Sequence, residues 1–252
     1  MKKLSGENLQ AIIQRLEKND PTTLKNYPRS YLLEIFLKVC DAISFAHSKR
    51  VLHLDIKPAN IQVDEYGQVL VCDWGLARDA SDEMLDDDSQ SDEKISLDLS
   101  NNNRIAGTPG YMAPEQVNRS WGKRGQCTDI YSLGALLYTI LTYKKAISGR
   151  SVDDVIQRTI SGDIMAPRKR SPHLAIPPAL EAVAMKAMSL NTDDRYASTQ
   201  QLDTEIRAYL NGFSTDAEQA GFLREVKLLI KRNKKIAQLA ILSVFTLSLI
   251  TI

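Results

Sequence analysis

The chain of 252 residues has only three cysteines, Cys40, Cys72 and Cys127, and they never fall as C-x-x-C. That spacing excludes a cysteine zinc site and a disulfide framework, and it fits inert buried thiols in a reducing compartment. The twelve glycines include no G-x-G-x-x-G, so no glycine-rich loop is present to cover a phosphate chain. The N-terminus lacks the uninterrupted apolar core of a signal peptide, because Glu7, Gln10, Gln14, Arg15 and Glu17 interrupt it. An excess of charge of one sign is also missing, since the net charge is +1. No nucleic-acid partner is expected.

The near-zero balance conceals two opposed segments. Residues 79–103 hold nine acids (Asp79, Asp82, Glu83, Asp86, Asp87, Asp88, Asp92, Glu93, Asp98) against Lys94 alone. Such a run cannot bury enough apolar surface to offset its ordering entropy, which predicts a mobile, solvated loop. A spacer and a cluster of phosphorylation sites both fit it. Between 224 and 235, six cations (Arg224, Lys227, Lys231, Arg232, Lys234, Lys235) face Glu225, and the seventeen residues 236–252 then carry no charge. Seventeen uncharged residues reach the lower limit for crossing a hydrocarbon core of about 30 Å. The basic flank predicts a single-pass membrane helix with its preceding domain on the cytoplasmic side. A buried terminal helix is the alternative, although a docked helix would show a polar face.

Helical periodicity dominates between these landmarks. Leu9, Ile12, Ile13 and Leu16 share a face with Asn8 placed as cap, and Leu32, Ile35, Phe36, Val39, Ile43 and Ala46 share another after Pro28. The period falls to two over residues 60–72, where Ile61 and Val63 flank Gln62 and the turn "EYG" precedes Val69, Leu70 and Val71. This predicts one short hairpin. "TDIYSLGALLYTILT" is apolar all round and reads as a central buried helix. Ser151 with Asp154, and Ser198 with Gln201, have capping-box spacing, Gly212 is placed to end the last helix, and residues 178–190 form another. The fold class is mainly α with a small β-hairpin.

Four motifs carry the chemistry: "HLDIKPAN" (53–60), "DWG" beginning thirteen residues after Asn60, "GTPGYMAPEQ" (107–116) and "TDIYSLG" (128–134). In this order and spacing they resemble the eukaryotic-like, bacterial-type Ser/Thr protein kinases. The resemblance covers residues 1–213 and implies a protein-kinase-like large lobe there, while charge and hydropathy predict a basic juxtamembrane linker over 214–235 and a transmembrane segment over 236–252. It implies ATP and Mg2+ as cofactors, and protein substrates. Phosphoryl transfer needs positioned charge more than covalent help. By resemblance Asp55 is the catalytic base, Lys57 reaches the transferring phosphate, and Asn60 and Asp73 hold magnesium. Gln62 lies beneath the adenine, where an apolar side chain is usual. Thr108 bridges Lys57 and Asp55 on the substrate side. His53, Glu115, Asp129 and Arg195 are structural, with Glu115 and Arg195 as a buried ion pair.

The chain departs from that family in two ways. Leu54 stands where the family has an Arg that pairs with a phosphorylated residue, so phosphorylation of the acidic segment is not expected to switch activity on. "MKKLSGENL" resembles the hinge, which leaves the Gly-rich loop, the strand Lys and the helix Glu of the small lobe without counterparts in this chain. Two readings follow. One is a membrane-anchored signalling kinase present as a fragment, and the other is a catalytically inactive kinase-like binding or scaffold module.

Overall fold

A computed structural model describes residues 6–80, 107–218 and 228. Strand β1 (Glu7–Asn8) leads directly into helix α1 (Leu9–Glu17). The side chain of Asn8 accepts from Ala11 N at 2.9 Å, and the buried face is Leu9, Ile12, Ile13 and Leu16, as the periodicity predicts. Helix α2 (Pro21–Asn26) is capped by Asp20, whose carboxylate accepts from the hydroxyl and amide of Thr23 and is held below its ordinary pKa by those bonds. Helix α3 (Arg29–Ser48) follows Pro28 and buries Leu33 and Cys40 in addition to its predicted face.

The β structure is more extensive than one hairpin. Strands β3 (Ile61–Val63) and β4 (Val69–Val71) pair antiparallel with Ile61 opposite Val71, and the turn is held by Asp64 Oδ1, which accepts from Tyr66 N and Gln68 N. β1 adds to the other edge of β3 with Glu7 opposite Val63, giving the order β1-β3-β4. A second ribbon pairs β2 (Val51–Leu52) with β5 (Arg78–Asp79). Both additions are two residues long, too short to show a period, and each is specified by its distant partner.

Helix α4 (Pro114–Val117) precedes α5 (Gln126–Thr142), which is buried all round as expected. α5 divides two apolar clusters. The larger joins it to α1 and α3, and to α8 (Pro178–Ala187) and α9 (Thr199–Leu210); the smaller holds Tyr111, Tyr131, Tyr138, Ala146 and Ile147. α8 stops at Ala187, short of the predicted Leu190. Helices α6 (Val152–Ser161) and α7 (Pro167–Arg170) lie between α5 and α8 in sequence.

Ser151 and Ser198 cap α6 and α9 by accepting from Asp154 N and Gln201 N. The return bonds miss the capping residue and reach one residue further out: Asp154 accepts from Arg150 N and Gln201 from Ala197 N. α9 is followed by Gly212 at φ 74°. The fold continues past the predicted boundary at Phe213, because the carboxylate of Glu205 accepts from Asp216 N at 2.9 Å and Thr215 is buried. Ala217 packs on the main core, so the segment to Glu218 belongs to the folded unit and not to a linker.

Cys40 is buried, whereas Cys72 and Cys127 are only partly covered. Among the described residues no helix is long and apolar enough to cross a membrane. The predicted acidic loop falls almost entirely on residues 81–106 and the predicted span on 236–252, both outside the described residues.

Candidate active site

The loop from His53 to Asn60 runs between β2 and β3 and ends in a single helical turn, Pro58–Asn60. Its backbone is pinned from below by Asp129 in the first turn of α5. One carboxylate oxygen accepts from Leu54 N at 2.8 Å, and the other accepts from His53 N at 2.8 Å and meets His47 Nε2 at 2.8 Å. Asp129 is fully buried, so these donors replace the water it gives up. The hydroxyl of Thr199 lies 3.2 Å from His47 Nδ1, a neutral tautomer with the proton on Nε2 satisfying both contacts.

His53 joins the loop to the following hairpin. Its Nδ1 accepts from Asp55 N at 3.3 Å, and its Nε2 donates to Cys72 O at 3.2 Å. The ring lies 4.5 Å from that of Trp74, whose indole N–H donates to Val71 O. Cys72 N donates to Asn60 O at 2.8 Å, extending the β3–β4 ladder by one bond. Asn60 and Asp73 are thereby brought to the same end of the hairpin, with Asp73 exposed at a left-handed φ of 60°. A Cβ at Gly75 would sit 3.3 Å from the Asp73 carboxylate, so glycine keeps that carboxylate uncrowded.

Asp55 is the convergence point. Its Oδ2 accepts from Lys57 Nζ at 2.6 Å and from Asn60 Nδ2 at 3.1 Å, and its Oδ1 accepts from Thr108 Oγ1 at 2.7 Å. Lys57 Nζ also donates to Thr108 Oγ1 at 2.7 Å, so this hydroxyl uses both its donor and its acceptor capacity in one closed triangle. A carboxylate has about four acceptor positions. Three are in use, and one on Oδ1 is open.

The site's oxygen donors suit a hard cation. Asn60 Nδ2 is committed to the backbone and side chain of Asp55, which leaves its carbonyl oxygen, and Asp73 supplies an exposed carboxylate. Among the described residues no group of three or more His, Cys, Asp or Glu forms a metal cluster. One amide oxygen and one carboxylate match an ion that keeps several waters, as Mg2+ does. Gln62 lies on β3 opposite Asn8 and Leu70 and is half-buried.

Glu115 and Arg195 meet through two bonds of 2.7 and 2.9 Å with both side chains fully buried. Three residues of the site were not singled out from sequence. Gln116 donates to Leu54 O at 2.8 Å and accepts from Ala113 N, His47 supports Asp129, and Thr128 donates to Glu115. Gln116 and Thr128 stand inside quoted motifs. His47 is a polar residue on the buried side of α3, which was the only sign of its role.

The model of the protein kinase domain family matches residues 3–207. Serine/threonine-protein kinase PknD of Protochlamydia amoebophila (strain UWE25) is 34% identical over 220 residues, covering 84% of this chain and 22% of that protein. PknD of Chlamydia trachomatis serovar L2b is 34% identical over 206 residues, with 78% and 21% covered. PknD of Chlamydia felis is 35% identical over 183 residues, with 71% and 19% covered. The chain spans about a fifth of the length of these curated relatives.

Proposed function

Because this chain belongs to the protein kinase domain family, we propose that it is a Ser/Thr protein kinase, moving the terminal phosphoryl group of ATP onto Ser or Thr hydroxyls of proteins. The observation that carries this reading is the closed triangle of Asp55, Lys57 and Thr108 with Asn60 on the same carboxylate. Asp55 orients the substrate hydroxyl through the open position on Oδ1 and receives its proton. Lys57 holds positive charge beside that carboxylate, where it screens charge building on the transferred group. Thr108 fixes the Lys57 ammonium and one Asp55 oxygen, which restricts attack to one geometry. Asn60 and Asp73 are the residues to hold magnesium. Bound Mg-ATP would supply the phosphoryl group and neutralise the phosphate charge.

The purified 252-residue chain is to be incubated with γ-labelled ATP, Mg2+ and a Ser/Thr protein. Label is expected on the protein and is expected to be lost with Asp55→Asn, while Asn60→Ala and Asp73→Ala shift the Mg2+ requirement upward. Transfer that survives Asp55→Asn would remove the assignment. A second reading, an inactive kinase-like binding or scaffold module, is favoured by the lack of any G-x-G-x-x-G in the chain. It predicts no thermal shift with Mg-ATP together with retained binding of protein partners.

The uncharged stretch 236–252 and the cations before it support a single-pass anchor with the kinase region cytoplasmic. Flotation of the chain with liposomes, lost on truncation after residue 218, tests that reading.

A further inference from the structure

A cavity of about 480 Å³ lies between α1, α5 and the chain around residues 144–148, within the usual size range of ligand sites. Lys144, Lys145 and Arg170 line it, against a single carboxylate, Glu17. One turn of chain links its wall to the candidate active site. Tyr111, which also lines it, donates its backbone N–H to Thr108 O at 3.0 Å, and the Thr108 hydroxyl binds Asp55. The loop of Gly110 and the chain at Ile147 approach closely, since a Cβ at Gly110 (φ 95°) would come within 2.8 Å of Ile147 O.

One charged donor of the lining is left over. Tyr111 is only 3% exposed, and its hydroxyl lies beside that of Thr139, which donates to Ala135 O. The buried Nε of Arg170 has no partner, while one of its terminal nitrogens reaches Ser148. Lys145 Nζ stands 5.9 Å from the centre of the Tyr111 ring, and both residues line the cavity. An unpartnered buried guanidinium N–H beside an excess of two positive charges calls for an anionic acceptor.

We propose that this cavity is a specificity subsite for an acidic side chain of the polypeptide substrate, one flanking the Ser or Thr presented to Asp55. The proposal rests on the kinase reading for the identity of that hydroxyl. A carboxylate entering here accepts from the Arg170 guanidinium and lies in the field of Lys144 and Lys145, interactions that an amide of the same shape makes only weakly.

The test uses the full chain and dye-labelled peptides with one Ser flanked on either side by Glu, Gln or Lys. Binding is read by anisotropy without nucleotide. The Glu peptide is expected to bind about tenfold more tightly than the Gln peptide when the acid is on one side of the Ser, with the preference shrinking as salt rises. In the double variant Lys144→Glu, Lys145→Glu, checked for folding by circular dichroism, the order is expected to invert in favour of the Lys peptide. Glu and Gln peptides binding within twofold, or a folded double variant that keeps the acidic preference, would overturn the subsite. If the variant does not fold, the wild-type comparison decides. Phosphoryl transfer to the same peptides is measured separately: preference without transfer removes the kinase reading alone, and transfer without preference removes the subsite alone.

Discussion

Leu54 shows how single residues set the candidate active site. Its φ of 63° is in the left-handed region, which costs a residue with a side chain roughly 1–2 kcal/mol. The conformation persists because Asp129 holds its N–H, Gln116 holds its C=O and its side chain is buried. Asp129→Asn replaces one acceptor oxygen with an NH2 group facing existing donors, leaving a buried donor unpaired at a cost of about 1–3 kcal/mol. Faster hydrogen exchange at the amides of His53 or Leu54, together with a lowered Tm, is the expected result; unchanged exchange would show that the loop holds itself. Leu54 also offers no cation to a phosphate. Replacing Ser89, Ser91, Ser96 and Ser100 by Ala is therefore expected to leave phosphoryl transfer within about twofold of wild type.

Packing between helices decides the next level. At Gly134 in α5 an added Cβ would lie 2.7 Å from Ala187 Cβ and 2.9 Å from Met188 Cγ. Gly to Ala in an open helix gains about 1 kcal/mol, but overpacking a close helix crossing costs about 1–3 kcal/mol. Because Ala187 cannot swing aside, Gly134→Ala is expected to lower stability in urea denaturation; a stabilised variant would mean that α8 moves freely. At the end of α9, burial, and next the Asp216 charge, raise the Glu205 carboxyl above its ordinary 4.5, although Asp216 N–H and Ala217 N–H pull the other way. The folded state thus favours the protonated acid. The stability Glu205 contributes is complete below pH 4.5 and is lost as pH rises through the raised value. Glu205→Gln keeps an acceptor for Asp216 N–H, so its stability relative to wild type is expected to rise from pH 4 to pH 7, read from urea midpoints. The long helices were legible because a repeated apolar face records burial locally. β1, β5 and the segment at Asp216 were not, since two or three residues carry no period and their places are set by partners elsewhere in the chain. The same division holds in the candidate site: the spacing of Asp55, Lys57 and Asn60 is visible in one loop, whereas the contact of His47 with Asp129 spans 82 residues and leaves no local pattern.

At the scale of the whole molecule, Arg195 ties three distant segments into one body. All five of its N–H donors are used: two on Glu115, and one each on Ser189 O, Cys127 O and Leu190 O. Its guanidinium also stands 4.9 Å from the centre of the Tyr131 ring. A buried pair like this is not strongly stabilising relative to a well-packed apolar substitute, yet removing one partner strands the other charge. Arg195→Met is therefore expected to cost about 3–5 kcal/mol, because Glu115 keeps only Thr128 as a described side-chain donor. Arg195→Lys is expected to recover little, since three donors on a point charge cannot span the acceptors that the planar fork reaches. The double variant Glu115→Gln, Arg195→Met removes both charges and is expected to be more stable than Arg195→Met alone. Urea unfolding of the four proteins closes the cycle. Additive losses in the double variant would show that Glu115 and Arg195 act independently, and the loop carrying Thr108 and Tyr111 would then depend on the apolar cluster beneath it and not on this pair.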